Sequence, residues 1–288
     1  MITTAAVTVG TSLHSTLSAL RQAPSGEAWR DALPDAGARQ RLADAAQTLE
    51  QLRRAVERGA WERAGELLAL LPPELPQWGA EAATLHALRH EPEMRNLERV
   101  VLLASDTAEG RSVVQVLESA LGGWERLPVS TRVIADLDHA SPARFKVEGL
   151  RNLVSALAQV TREVRPHQPV FVVSGGFKAQ VALTTVVGQA LGVPVAYRFE
   201  LFPDTMWLPP LPVRLDMGVV APVADLLRHG TFTEEQLRQR LGSPLTEANP
   251  SWAAVRALLT PHTGPAGQPL WGLSPMGQLV IEMLPAQE

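Results

Sequence analysis

Pro169-Val-Phe-Val-Val173 runs into Ser174-Gly-Gly-Phe-Lys178, then Ala179–Leu191, then Gly192-Val-Pro194, then Val195-Ala-Tyr-Arg-Phe199. The outer segments are short apolar runs of strand length, the middle one is of helix length, and glycine or proline marks each junction. This spacing predicts strand, tight turn, buried helix, turn and strand. The chain from Ala179 to Tyr197 is a long uncharged stretch, but Gln180, Gly188, Gln189, Gly192 and Pro194 interrupt it. It therefore reads as packed core and not as a membrane span.

The same rhythm continues upstream. Val100-Val-Leu-Leu-Ala104 is a strand closed by Ser105-Asp-Thr-Ala-Glu-Gly110, with a helix expected over 111–121. Thr131-Arg-Val-Ile-Ala-Asp136 is the next strand. Residues 146–165 form an amphipathic helix with Val147, Leu150, Val154, Leu157 and Val164 on one face. Ala5–Val9 is a first buried strand ending at Gly10. Strands alternating with helices predict a doubly wound, parallel, Rossmann-like α/β sheet.

Two regions stand outside that rhythm. Over 38–71, Leu42, Ala46, Leu49, Leu52 and Val56 recur on one helical face, Gly59 ends that helix, and a second runs to Leu71 before Pro72, Pro73 and Pro76. This predicts a helical insertion over about residues 21–95. Downstream, Pro203, Pro209, Pro210 and Pro212 mark a stiff linker. The tail holds a capping box, Thr233-Glu-Glu-Gln236, before Leu237–Gly242, and a helix over Ser251–Leu259. Pro269-Leu-Trp-Gly-Leu273 follows as a strand or wing, and Ser274-Pro275 as a cap with proline at the first helical position. The expected division is 1–212 for the α/β domain and 213–288 for a small winged-helix-like domain.

Composition narrows the chemistry. The 288 residues carry a net charge of −4, which argues against a dominant electrostatic grip on duplex DNA. There is no cysteine, so disulfides, thiolate zinc sites and cysteine nucleophiles are excluded together. The start lacks the basic region of a secretory signal, and a cytoplasmic protein is expected. Neither GxGxxG nor GxxxxGK[ST] occurs, so dinucleotides and triphosphates lose their usual support. Only Lys146 and Lys178 are lysines; the other 24 basic residues are arginine.

Three predicted strand ends carry glycine and small polar residues: Gly10-Thr11-Ser12, Ser105-Asp106-Thr107, and Ser174-Gly175-Gly176-Phe177-Lys178. In an open parallel sheet these ends lie together and bind ligands. Glycines admit an anion to the backbone, and a following helix start offers free N–H groups. Lys178 stands at such a helix start, where the dipole disfavours an ammonium unless an anion compensates it. An anionic ligand at this point is one reading. An ordinary glycine-rich turn with a solvent-facing lysine is the other.

Gly10-Thr-Ser-Leu13, Ser105-Asp-Thr-Ala-Glu-Gly110, Val147-Glu-Gly-Leu-Arg-Asn152, Ser174-Gly-Gly-Phe-Lys-Ala179 and Leu208-Pro-Pro-Leu-Pro212 resemble, in content and order, CRISPR-associated Rossmann-fold (CARF) proteins. The resemblance covers roughly 1–20 and 96–212. It implies a homodimer that binds cyclic tetra-adenylate, and its layout is similar to stand-alone ring nucleases that cleave this messenger. On that resemblance Ser12 and Lys178 fall where cleavage is implicated. Gly10, Thr11, Ser105, Asp106, Thr107, Ser174, Gly175, Gly176 and Phe177 are the candidate ligand contacts. The chemistry needs neither metal nor cofactor: a ribose 2′-OH attacks its own 3′-phosphate and expels the 5′-oxygen. No strong general base is visible, which predicts a slow enzyme. A non-cleaving sensor that regulates transcription, and a messenger-activated ribonuclease, are the alternatives.

Other residues have plain readings. His14 belongs in a helix. Arg256 and His262 have a ribonuclease-like spacing interrupted by Pro261. Asp136, Asp138 and His139 read as a polar turn, and Trp207 and Trp271 as packing. Lys146 solvates a helix start, and Glu148 and Asn152 are as well suited to capping as to ligand contact. In the tail Arg228, Arg238, Arg240 and Arg256 are offset by Asp225, Glu234, Glu235 and Glu247, which argues against DNA reading.

Overall fold

A computed structural model describes residues 1–20, 36–72, 78–198, 205–212, 215–242, 244–246 and 248–284. Pro73, Pro76, Phe199, Pro203 and Glu247 lie outside these residues, as does the side chain of Leu42.

β1 (Ile2–Val9) is the middle of the molecule, and seven of its eight residues are buried. A strand covered on both faces must be apolar or small on both faces, and Ala5-Ala-Val-Thr-Val9 meets that need. β1 is flanked by β2 (Arg99–Ser105) and β4 (Gln168–Val172), both parallel to it. β3 (Val129–Ile134) extends the β2 side, and β5 (Val195–Tyr197) with β6 (Met206–Leu208) the β4 side. The six-stranded order is β3-β2-β1-β4-β5-β6, and only β6 is antiparallel. The chain thus winds outward in one direction from β1 and then reverses through β4.

The period of two along these strands sorts the core into two layers. Ala5, Val7 and Val9 with Leu102 and Val172 face one side, where Leu13 and Leu17 of α1 (Ser12–Leu20) also lie. The insertion fills that same layer. After α2 (Ala36–Asp44), it contributes Leu52 and Val56 from α3 (Ala46–Glu57), Leu67 and Leu68 from α4 (Trp61–Leu68) and Leu85 and Leu88 from α5 (Gly79–Leu88). α6 (Ala108–Glu125), capped by Thr107, completes it. Ala6, Leu103 and Phe171 face the other side against α7 (Leu150–Glu163) and α8 (Lys178–Leu191).

The tail has its own core, which includes Val223, Leu227, Phe232, Leu237, Trp252 and Leu273. α9 (Ala224–His229), β7 (Thr231–Phe232), α10 (Glu234–Leu241), α11 (Pro250–Arg256), β8 (Leu259–Thr263) and β9 (Pro269–Leu273) precede α12 (Pro275–Met283). The strands form a sheet of order β7-β9-β8. The capping box at Thr233 is formed in both directions with Gln236. Ser274 caps α12 by accepting the Gly277 N–H at 3.1 Å.

The structure corrects four expected elements. Residues 206–208, placed in a proline-rich linker, are a strand: Tyr197 pairs with Met206 at the sheet edge, where Pro209 and Pro210 after the strand cost no ladder bond. The helix expected over 146–165 opens with one turn at Pro142–Arg144 and a wide π turn at Phe145–Gly149, and is α-helical only from Leu150. Of the expected face Val154, Leu157 and Val164 are buried and Val147 and Leu150 partly so, while Leu153 and Val160 are buried beside them. The helix over 251–259 stops at Arg256, and Leu259 opens β8 on an edge that tolerates Pro261. The helix read through Leu42 to Val56 is interrupted at Ala45 into α2 and α3, and the insertion holds α5 in addition.

Candidate functional site

β1 and β4 are adjacent strands whose connections leave in opposite directions, so a crevice opens where their following turns diverge. The two turns touch. A Cβ on Gly10 would sit 2.7 Å from the Gly176 amide nitrogen. Gly176 has φ +104, a conformation open to glycine and strained for other residues. Thr8, fully buried in β1, donates its hydroxyl to Gly175 O at 2.6 Å and so ties the second turn to the first strand. A cavity of about 80 Å³ lies here, lined by Val9, Gly10, Thr11, Ser105, Gly176 and Phe177.

Three of the sequence-predicted turns therefore meet at one end of the sheet, and five of the predicted residues line the cavity. Ser12 and Lys178 are the first residues of α1 and α8, and both are exposed at the rim. Lys178 forms no ion pair with a described residue. Phe177 stacks edge-on with Phe145 at 5.1 Å between ring centroids, which joins the π turn to the start of α8.

Of the other predicted contacts, Thr107 and Asp106 have structural work. Thr107 accepts the Gly110 N–H at 2.9 Å and is 3.1 Å from the Ser105 hydroxyl. Asp106 pairs with Arg111 at 2.5 Å and accepts the Asp136 N–H at 3.3 Å. Ser174 Oγ is buried and has no hydrogen-bond partner among the described residues. His14 lies in α1 with Nδ1 3.0 Å from Ser112 Oγ, facing away into α6. Asn152 donates to Ala135 O at 2.9 Å. Asp136 pairs with Arg144, and no group of three His, Cys, Asp or Glu among the described residues is placed to hold a metal ion. Arg256 lies 5.9 Å over the Trp271 ring.

Two residues at this site escaped the sequence reading. Glu81, on α5 of the insertion, is 1% exposed, and its Oε1 accepts the Gly10 N–H at 2.5 Å. The same oxygen lies against Gly175, where any Cβ would collide with it. A carboxylate thus sits in the join between the two turns. Gln180 is fully buried, donates to Leu103 O at 3.2 Å and sets its Oε1 beside Gly176. Glu81 stands in the sequence as a single acid within the small, apolar run Gly79-Ala-Glu-Ala-Ala83, which by itself does not point to Gly10.

Fold and site define an α/β protein with a mostly parallel six-stranded sheet and a glycine-bordered crevice at its strand-order switch. Residues 76–211 match the model of a family described as "CRISPR-associated protein (Cas_APE2256)", a little under half of the chain. That match supports a CRISPR-associated protein. It runs from the residues preceding α5 to beyond β6, and so takes in Glu81 and Lys178 but not Ser12. No curated protein matches the chain. No helix among the described residues is long and apolar enough to cross a membrane.

Proposed function

We propose that the chain is a CARF-type ring nuclease of Rossmann-like fold, binding cyclic tetra-adenylate between two copies and cleaving it to linear di-adenylate with a 2′,3′-cyclic phosphate. The observation that carries this reading is the meeting of the Gly10 and Gly175-Gly176 turns at the switch point, with Ser12 and Lys178 opening a helix on either side. The CRISPR-associated family match over 76–211 supports the biological setting.

The crevice of one copy, at about 80 Å³, is far below the ~300–1,000 Å³ of ordinary ligand sites. A second copy related by a two-fold axis doubles the turns, and a four-nucleotide ring can share that axis. In the reaction the 2′-oxygen forms a bond to its own phosphorus, the P–O5′ bond breaks, and the 2′ proton ends on the departing 5′-oxygen. The turns hold the ribose in line, Lys178 offsets the growing charge on the phosphate oxygens, and Ser12 supplies a hydrogen bond. Because attack is internal, no metal-bound water is required.

The tail, taken as residues 213–288, has the helix–strand–helix–helix–strand–strand order of a winged helix, which we read as its fold. Two of its arginines are engaged in ion pairs: Arg238 with Glu234, and Arg240 with Asp225. A DNA-reading role is therefore the lesser reading.

The experiment is incubation of the protein with radiolabelled cyclic tetra-adenylate and EDTA, followed by resolution of products. Linear di-adenylate ending in a cyclic phosphate supports the ring nuclease. An intact ring that binds tightly establishes the sensor instead. An intact ring that does not bind removes both.

A further inference from the structure

Glu81 is the feature that the proposed chemistry leaves unused. It belongs to the insertion, yet its carboxylate lies at the join of the two turns that carry the site. A buried carboxylate is costly unless its oxygens are engaged, and here Oε1 takes the Gly10 N–H at 2.5 Å. Glycine at 175 is the complement of this arrangement, since any side chain there would occupy the position of Oε1. Gly79, at φ +92, brings the start of α5 over the same turn, and a Cβ there would lie 3.3 Å from Ser12 Oγ. Glu81 does not line the cavity, so it is placed to hold the turns and not to touch a ligand.

We infer that Glu81 is a positioning residue. By accepting the Gly10 hydrogen bond and abutting Gly175, its carboxylate fixes the turn leading into Ser12 against the turn leading into Lys178. The insertion is then part of the site's architecture. This rests on the ring-nuclease reading for its catalytic consequence, and on the hydrogen bond alone for its effect on the turn.

The test uses the full chain as wild type, Glu81→Gln and Glu81→Leu. Glutamine keeps a carbonyl oxygen for Gly10, whereas leucine fills similar volume and accepts nothing. Amide hydrogen exchange without ligand is read at Gly10, with melting temperature alongside. Cyclic tetra-adenylate binding and cleavage are read separately. Exchange at Gly10 is expected to rise about tenfold or more in Glu81→Leu and to stay near wild type in Glu81→Gln. Cleavage is expected to fall about 10²-fold in Glu81→Leu, with a smaller change in Kd, and to be restored in Glu81→Gln.

Wild-type exchange at Gly10 in Glu81→Leu overturns the inference, as does equal loss in both variants. If Glu81→Leu does not fold, Gly175→Ala displaces the carboxylate from the other side and must release the Gly10 amide; an unchanged amide there overturns it too. If the wild type leaves the ring intact, the ring-nuclease reading fails, and exchange at Gly10 still decides the role of Glu81.

Discussion

The tail and the open end of the sheet treat positive charge in opposite ways. On α10, Arg238 pairs with Glu234 and approaches Glu235 at 3.9 Å, while Arg240 pairs with Asp225 of α9. At the sheet end, Lys178 begins α8 without an ion pair to any described residue, in a position where the helix dipole opposes it by ~0.3–1 kcal/mol. These two tail cations are thus neutralised by carboxylates of the tail itself. At the crevice Lys178 stands beside the glycine turns with no ion pair among the described residues, the arrangement that the proposed anion site calls for.

The sharpest way to break this contrast is Lys178→Ala. Its removal is expected to lower cleavage of cyclic tetra-adenylate by about 10²–10³-fold, the usual scale for one charge-stabilising donor, while Arg238→Ala with Arg240→Ala leaves the rate unchanged. Radiolabelled-product kinetics check both, and equal effects would erase the distinction between the regions. Next in size is Leu237→Ala. This residue is fully buried in the tail core, and its truncation is expected to cost ~2–5 kcal/mol in a urea titration. Thr233→Ala removes the cap of α10 and should cost ~1 kcal/mol by the same titration.

The smallest effect belongs to a surface cluster of three charges outside both regions. The Arg53 and Arg54 guanidinium groups beside Glu50 hold its carboxyl down at about 2, below its ordinary 4.5. A carboxyl depressed in the folded state contributes stability that is complete above its unfolded value. That contribution is lost as pH falls from about 4.5 through about 2. Glu50→Gln should flatten the acid side of the stability profile within that window only, read by thermal melts between pH 2 and pH 7 as flanking points (about the span of acid titration).

Much of the sheet was legible because its signals are local. α8 runs from Lys178 to Leu191 and ends on Gly192 at φ +70, the bounds that the glycines mark in the sequence. The N-caps at Thr233 and Ser274 were equally readable. β6 was not, because an edge strand flanked by prolines has the composition of a linker, and only its pairing with β5 makes it a strand. The site was legible in its glycines, since each turn carries its own signature. Glu81 was not, because its partner Gly10 lies 71 residues away and no spacing rule spans that gap. The π turn at 145–149 escaped for a related reason: a single extra residue in a helix leaves the apolar periodicity nearly intact.

α12 serves two cores at once. Leu279 packs with the sheet layer of α7 and α8, its neighbour Val280 with the tail, and Glu282 holds Arg162 of α7. Severing the chain after residue 212 would therefore strip a greasy strip from α7 and α8 as well as removing the appendage. Calorimetry of the intact chain should accordingly record one cooperative endotherm, with neither part melting ahead of the other.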